Sequence, residues 1–193
     1  MATKKEQELI RRYVEDLSCD RRRRRQDASH ELAQIAKTDS HELVLYVEEL
    51  IDALYRPEAQ TRWEILDALS DIALKYPDEV KEAYEAAEIS LYDEDSATVR
   101  LSAFHYLCVV GASSQKRSEA AWKLLDGAVQ CYHGDPEYRD MLTYLMDFVQ
   151  GDISDATKKS LASRVEFDAK NGRGYIKAFS SDIYDIAGSV EID

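Results

Sequence analysis

Glycine and proline are scarce in this chain, seven and three among 193 residues. No stretch is rich in Pro, Gly or Ser, which excludes a flexible linker, a low-complexity tract and a many-turned all-β fold. The three cysteines (Cys19, Cys108, Cys131) are an odd number without a CxxC pair. That excludes a disulfide framework and a zinc ribbon, and it predicts a reduced, cytoplasmic compartment. No window approaches the ~18 consecutive apolar residues of a membrane span. Residues 1–8 (Met-Ala-Thr-Lys-Lys-Glu-Gln-Glu) lack the apolar core of a secretory signal.

Catalytic signatures are absent too. The chain contains no HExxH, GxSxG, P-loop or GxGxxG. Asn171-Gly172-Arg173-Gly174 reads as a turn rather than a phosphate cradle. His105 and Cys108 are spaced i, i+3, but two ligands do not close a metal site, and Cys131 and His133 fall at the end of another helix. The sequence therefore predicts no enzyme, no metal and no cofactor.

Charge of one sign is short over most of the chain. The net charge is −13. Residues 1–25 hold nine bases and five acids, so the remainder carries −17. An acidic body opposes binding to a phosphate backbone, which needs a continuous basic surface. It suits basic protein partners. The exception is the run Arg21, Arg22, Arg23, Arg24, Arg25, which opens a helix against its dipole. It reads as a solvated first turn or as a contact for an anion or an acidic partner. One such partner is the 78–95 region of a second copy, with eight acids against Lys81. A homo-oligomer of that kind would be weak and salt-sensitive.

What is present is helical periodicity with a long repeat. Ala, Leu, Glu, Lys and Arg, all good helix formers, are plentiful. Arg25 is followed by Ala28, Leu32 and Ile35; Arg62 by Ile65, Leu69 and Ile72. Arg100 is followed by Ala103, Leu107 and Val110; Arg139 by Leu142, Met146 and Val149. The arginines are separated by 37, 38 and 39 residues, and a weaker copy starts at Arg173 with Ile176 and Ile183. A helical phrase at this period means a stacked solenoid. The expected architecture is an all-α superhelix of about ten helices in five antiparallel pairs. One domain covers 1–193, with units at about 4–38, 40–75, 77–111, 114–150 and 153–188. Asp20 is expected to cap the second helix and Thr38-Asp39-Ser40 to cap the third. Pro57, Pro77 and Asp135-Pro136 are each expected in a helix's first turn, and Gly111 as a C-cap.

The second helix of each unit resembles the HEAT-repeat family. The resemblance rests on Asp95, Val99, Arg100, Ala103 and Leu107, and next on Asp20, Arg25, Ala28 and Leu32. It departs where Pro57 replaces the acid five residues before Arg62 and where Asp135 lies four before Arg139. Tetratricopeptide repeats fit worse, because the period exceeds 34 and W-x2-L-G-x2-Y is absent. The resemblance implies architecture, with the second helices lining a concave side. It also admits a HEAT-like alkylated-base DNA glycosylase, whose groove set Trp63, Tyr144 and Asp147 mimic loosely; such an enzyme needs a basic groove.

At about 100° per residue, each repeated arginine sits about 53° from its core direction, within reach of a neighbouring unit. Positions +1, +5 and +8 from the arginine point away from the core. They give Gln26, Trp63, Leu101 and Asp140; then His30, Asp67, His105 and Tyr144; then Ala33, Ser70, Cys108 and Asp147. Aromatic and apolar residues on a solvent face mark a contact surface. The expected site is a partner-binding groove of His30, Trp63, Asp67, Leu101, His105, Asp140, Tyr144 and Asp147. The expected function is a scaffold that holds another protein.

Overall fold

The computed structural model describes residues 3–188, and these are helical without strands. The chain separates into two compact units, Met1–Tyr106 and Leu107–Asp193. In the first lie α1 (Lys4–Leu17), α2 (Arg22–Asp39), α3 (Val47–Ala53), α4 (Ala59–Ala73) and α5 (Tyr84–Leu91). Helix α6 (Ala97–Gly111) crosses the boundary. The second unit contains α7 (Gln115–Cys131), α8 (Tyr138–Val149), α9 (Asp155–Asn171) and α10 (Gly174–Gly188).

Apolar periodicity places the core in both units. Leu32, Leu43, Leu50, Ile65, Leu69, Ile72 and Leu91 are fully buried in the first, and Leu125, Met141, Leu142, Leu145, Phe148, Leu161 and Ile183 in the second. Three of the repeated apolar positions, Ile35, Met146 and Ile176, are only half-buried. The arginine lies on the fourth residue of α2, α4 and α6, where Arg25, Arg62 and Arg100 each donate their amide to the N-cap carbonyl. Arg139 is instead the second residue of α8, and Arg173 precedes α10.

Several helix ends differ from expectation. Asp20 caps nothing; Arg21 is the N-cap of α2 and offers no side-chain bond. Thr38 does not turn the chain, because its hydroxyl donates back to the Ile35 carbonyl (3.0 Å) and α2 runs on to Asp39. A 3-10 stretch, Ser40–Tyr46, follows and shortens α3 to seven residues. Pro57 lies one residue before the N-cap Glu58 rather than in the first turn. Pro77 begins turns and a 3-10 stretch, Lys81–Ala83, so α5 starts only at Tyr84. Here Val80 is tied down: its carbonyl accepts the Tyr106 hydroxyl at 2.6 Å and the Ala83 amide at 3.0 Å. Asp135-Pro136 likewise forms a turn, with the Tyr138 amide on the Asp135 carbonyl, and α8 is capped by Glu137.

Gly111 is the last residue of α6 and keeps a negative φ, so it is not a left-handed cap. Its reason is space. A Cβ there would come within 2.7 Å of the Ala121 Cβ and 2.8 Å of a Phe148 ring carbon. Both neighbours are fully buried and cannot withdraw.

The polar fastening of the first unit is a forward step by the arginines. Arg25 donates to both carboxylate oxygens of Glu58 and, at 2.7 Å, to the Cys19 carbonyl. The side chains are 10% and 4% exposed, so the pair is nearly desolvated. The guanidinium holds the Glu58 carboxyl below the usual range. Arg62 repeats the step to Asp93, which also accepts the Asp95 and Ser96 amides ahead of α6. Arg100 then bonds the Asp93 carbonyl at 2.8 Å. The acids used are Glu58 and Asp93, not the Asp20 and Asp95 of the sequence pattern. Helix α2 meets α4 next to this pair.

Two stability measurements follow. Arg25→Ala is expected to cost about 2 kcal/mol in urea unfolding, because Glu58 loses two charge-assisted hydrogen bonds. Arg25→Met with Glu58→Leu recovers most of that loss. Gly111→Ala is expected to cost about 2 kcal/mol from overpacking against Ala121 and Phe148.

Candidate functional site

The candidate face in the first unit is built on α2, α4 and the first turns of α6. Trp63 and Asp67 on α4, and Leu101 and His105 on α6, are all half-buried. His30 on α2 is the most open of the set, its side chain 54% exposed. Three of the four residues at position +8 do not face solvent, Asp147 being the exposed one. Ala33, Ser70 and Cys108 are 3%, 1% and 2% exposed. Small side chains at that position let adjacent helices close over it, and Ser70 satisfies its hydroxyl on the Leu66 carbonyl at 2.8 Å.

The sequence pattern missed the residue that organises this face. Glu64 is buried, 2% exposed. It accepts the Ser29 hydroxyl at 2.8 Å, faces His30 Nδ1 at 3.0 Å and receives Gln60 at 3.5 Å. His30 is thus a partner of Glu64 as well as a surface residue. Glu64, Asp67 and Asp71 stand at i, i+3 and i+7 of α4, one stripe of three acids. That spacing was legible in the sequence, although only Asp67 entered the expected groove.

Burial raises the carboxyl pKa of Asp67, against the opposing pull of a Ser102 hydrogen bond and of Lys37. Burial raises Asp71 as well, and Lys37 again opposes the shift. Lys37 is thus the cation that acts on both, and it leaves the carboxyls harder to ionise than in water. Such a stripe favours an additional cation laid along it.

In the second unit, Asp140, Tyr144 and Asp147 stand on α8 at i, i+4 and i+7. The two acids are exposed and Tyr144 is half-buried. Burial pushes the Cys108 thiol well up, and the charge of Asp147 adds to that shift. A buried, protonated thiol is a poor metal ligand or nucleophile. No group of three or more His, Cys, Asp or Glu side chains able to hold a metal occurs among the described residues. His133 pairs with Asp168 at 2.8 Å.

The remaining arginines are dispersed. Arg139 is exposed, its guanidinium 5.9 Å from the Tyr175 ring centre, and Arg173 is exposed before α10. In the basic run, Arg24 pairs with Asp16 of α1 and Arg25 with Glu58. Arg23 stands 4.0 Å from Asp27 and is 91% exposed; Arg21 and Arg22 are exposed. The run therefore divides into two fastening residues and three solvated ones. No described helix is long and apolar enough to cross a membrane.

No protein-family model matches the chain, and no curated protein matches it. Solved structures do. A designed armadillo repeat protein in complex with the peptide (KR)4 superposes with a TM-score of 0.75 at 13% identity, over 94% of this chain and 86% of that one. An engineered protein gives 0.74 at 14% identity over 93% of this chain and 48% of its own, so this chain spans about half its length. A HEAT-like repeats protein from the archaeon Thermococcus onnurineus NA1 gives 0.53 at 14% identity, covering 97% and 89%.

The raised carboxyls generate a pH-dependent stability measurement. A carboxyl whose folded pKa exceeds its unfolded value binds more protons in the folded state between the two values, so stability falls as pH rises through that interval. Asp67→Asn is therefore expected to raise Tm at neutral pH while keeping an acceptor for Ser102. The gain vanishes once the pH drops below the unfolded carboxyl pKa.

Proposed function

Because the chain folds as an all-α repeat solenoid of the HEAT/armadillo kind, we propose that it is a non-enzymatic scaffold. It holds a protein partner on the faces of its second helices. The observation that carries this reading is the stripe Glu64, Asp67 and Asp71 beside half-buried Trp63, Leu101 and His105. Carboxylates that burial makes harder to ionise gain from a cation brought beside them. An adjacent Trp supplies the flat apolar contact for its alkyl stem or guanidinium plane. The partner is therefore an extended segment rich in Lys or Arg. The similar designed armadillo repeat protein was solved with such a peptide, (KR)4. Asp140, Tyr144 and Asp147 on α8 offer the same chemistry in the second unit.

The net charge of −13 favours encounter with a basic segment and makes its capture salt-dependent. It opposes a duplex nucleic acid for the same reason.

Titration calorimetry of the full chain with the (KR)4 peptide tests the proposal. Saturable binding is expected, about tenfold weaker for Trp63→Ala and for Asp67→Asn with Asp71→Asn. Affinity is expected to fall as pH drops through the raised Asp67 and Asp71 pKa values, since cation binding requires the ionised forms. Binding unchanged by these variants would remove the α2–α4–α6 face as the site.

A further inference from the structure

A second surface lies on the first helix pair, lined by residues other than those of the α2–α4–α6 face. Helices α1 and α2 and the 3-10 stretch Ser40–Tyr46 enclose a groove of about 380 Å3. Its floor is apolar: Leu9 and Tyr13, one turn apart on α1, and Ile35 on α2. Leu9 is 44% exposed and Tyr13 and Ile35 are half-buried, although the first two lie on a strongly amphipathic helix and Ile35 occupies a core position of the repeat. The other side of α2 packs on α4 and buries Ala28 and Leu32 completely. Ile35 is half-buried because it faces this groove.

The rim is of one sign. Glu6, Glu31, Asp39 and Glu42 line the groove, and no Lys, Arg or His does. Lys5 and Arg12 stand around an adjoining hollow beyond Leu9. An apolar floor inside four carboxylates fits an occupant with apolar anchors flanked by cations. Leu9 and Tyr13 stand at helical spacing on α1 beside Ile35 of the neighbouring α2, a surface that a third helix's ridge can enter.

We propose that this groove is a docking site for a cationic amphipathic helix of a partner protein. Leu9, Tyr13 and Ile35 receive its apolar stripe, and Glu31, Asp39 and Glu42 receive its Lys or Arg side chains. The site is separate from the α2–α4–α6 face and does not depend on it. It lets the chain engage one partner by an extended segment and another by a helix.

The probe is a fluorescein-labelled, alanine-based helical peptide with a leucine stripe flanked by lysines, followed by anisotropy against the full chain. A counterpart with glutamate for lysine is the control. Saturable binding of the lysine peptide alone is expected, weakened about tenfold by Leu9→Ser and by Glu31→Lys. Both side chains are exposed, so circular dichroism melts of these variants should match the parent. Trp63→Ala should leave binding unchanged. Four results would each overturn the proposal. These are no saturable binding, equal binding of the glutamate peptide, loss on Trp63→Ala without loss on Glu31→Lys, and a parent dimer in light scattering that Leu9→Ser dissociates. The third places the peptide on the other face, and the fourth makes the occupant a second copy.

Discussion

The guanidinium of Arg25 reaching forward to Glu58 is the contact on which the first unit's register depends. Helix-on-helix packing by Ala, Leu and Ile is tolerant of small slips, since one apolar contact resembles the next. A two-pronged bond between planar groups is not, because it closes at one separation and one rotation. Arg25 sets α2 against the start of α4 in this way. Arg62 sets α4 against the loop before α6 through Asp93, whose second oxygen caps that helix's entry. Each step joins the first turn of one second helix to the entry of the next.

The candidate face follows from the same construction. Fixing the second helices side by side leaves a shared surface on α2, α4 and α6. Its deepest polar group, Glu64, is satisfied by Ser29, His30 and Gln60 and serves structure. One and two turns further on, Asp67 and Asp71 are not matched in this way, and burial raises both. The proposed capture of a cation would draw on these two carboxylates, whereas an amide at either position would fold more easily.

Much of the architecture was legible because it rests on short-range rules. The repeated arginine phrase placed α2, α4, α6 and α8. Several boundaries went astray. Thr38 and Asp135 are held by local hydrogen bonds, whereas the segments after Pro57 and Pro77 meet contacts remote in sequence. Glu58 faces Arg25, and Val80 holds the Tyr106 hydroxyl. Local propensity amounts to a fraction of a kcal/mol, and such contacts outweigh it. For the site, helical angle matched the exposure of His30, Asp140 and Asp147, whereas Trp63, Asp67, Leu101, His105 and Tyr144 are half-buried. It failed at Ala33, Ser70 and Cys108, which adjacent elements cover, and it gave no reason to single out Glu64.

The sequence by itself determined an all-α repeat solenoid, its period and its acidic body, because periodicity and charge are properties of the chain read along one dimension. Only the tertiary structure decided which acids Arg25 and Arg62 meet, which small residues are covered, and which carboxyls burial makes harder to ionise. Those outcomes depend on distances between helices some 30 residues apart. A periodic pattern constrains the direction in which a side chain leaves its helix but not what stands opposite it.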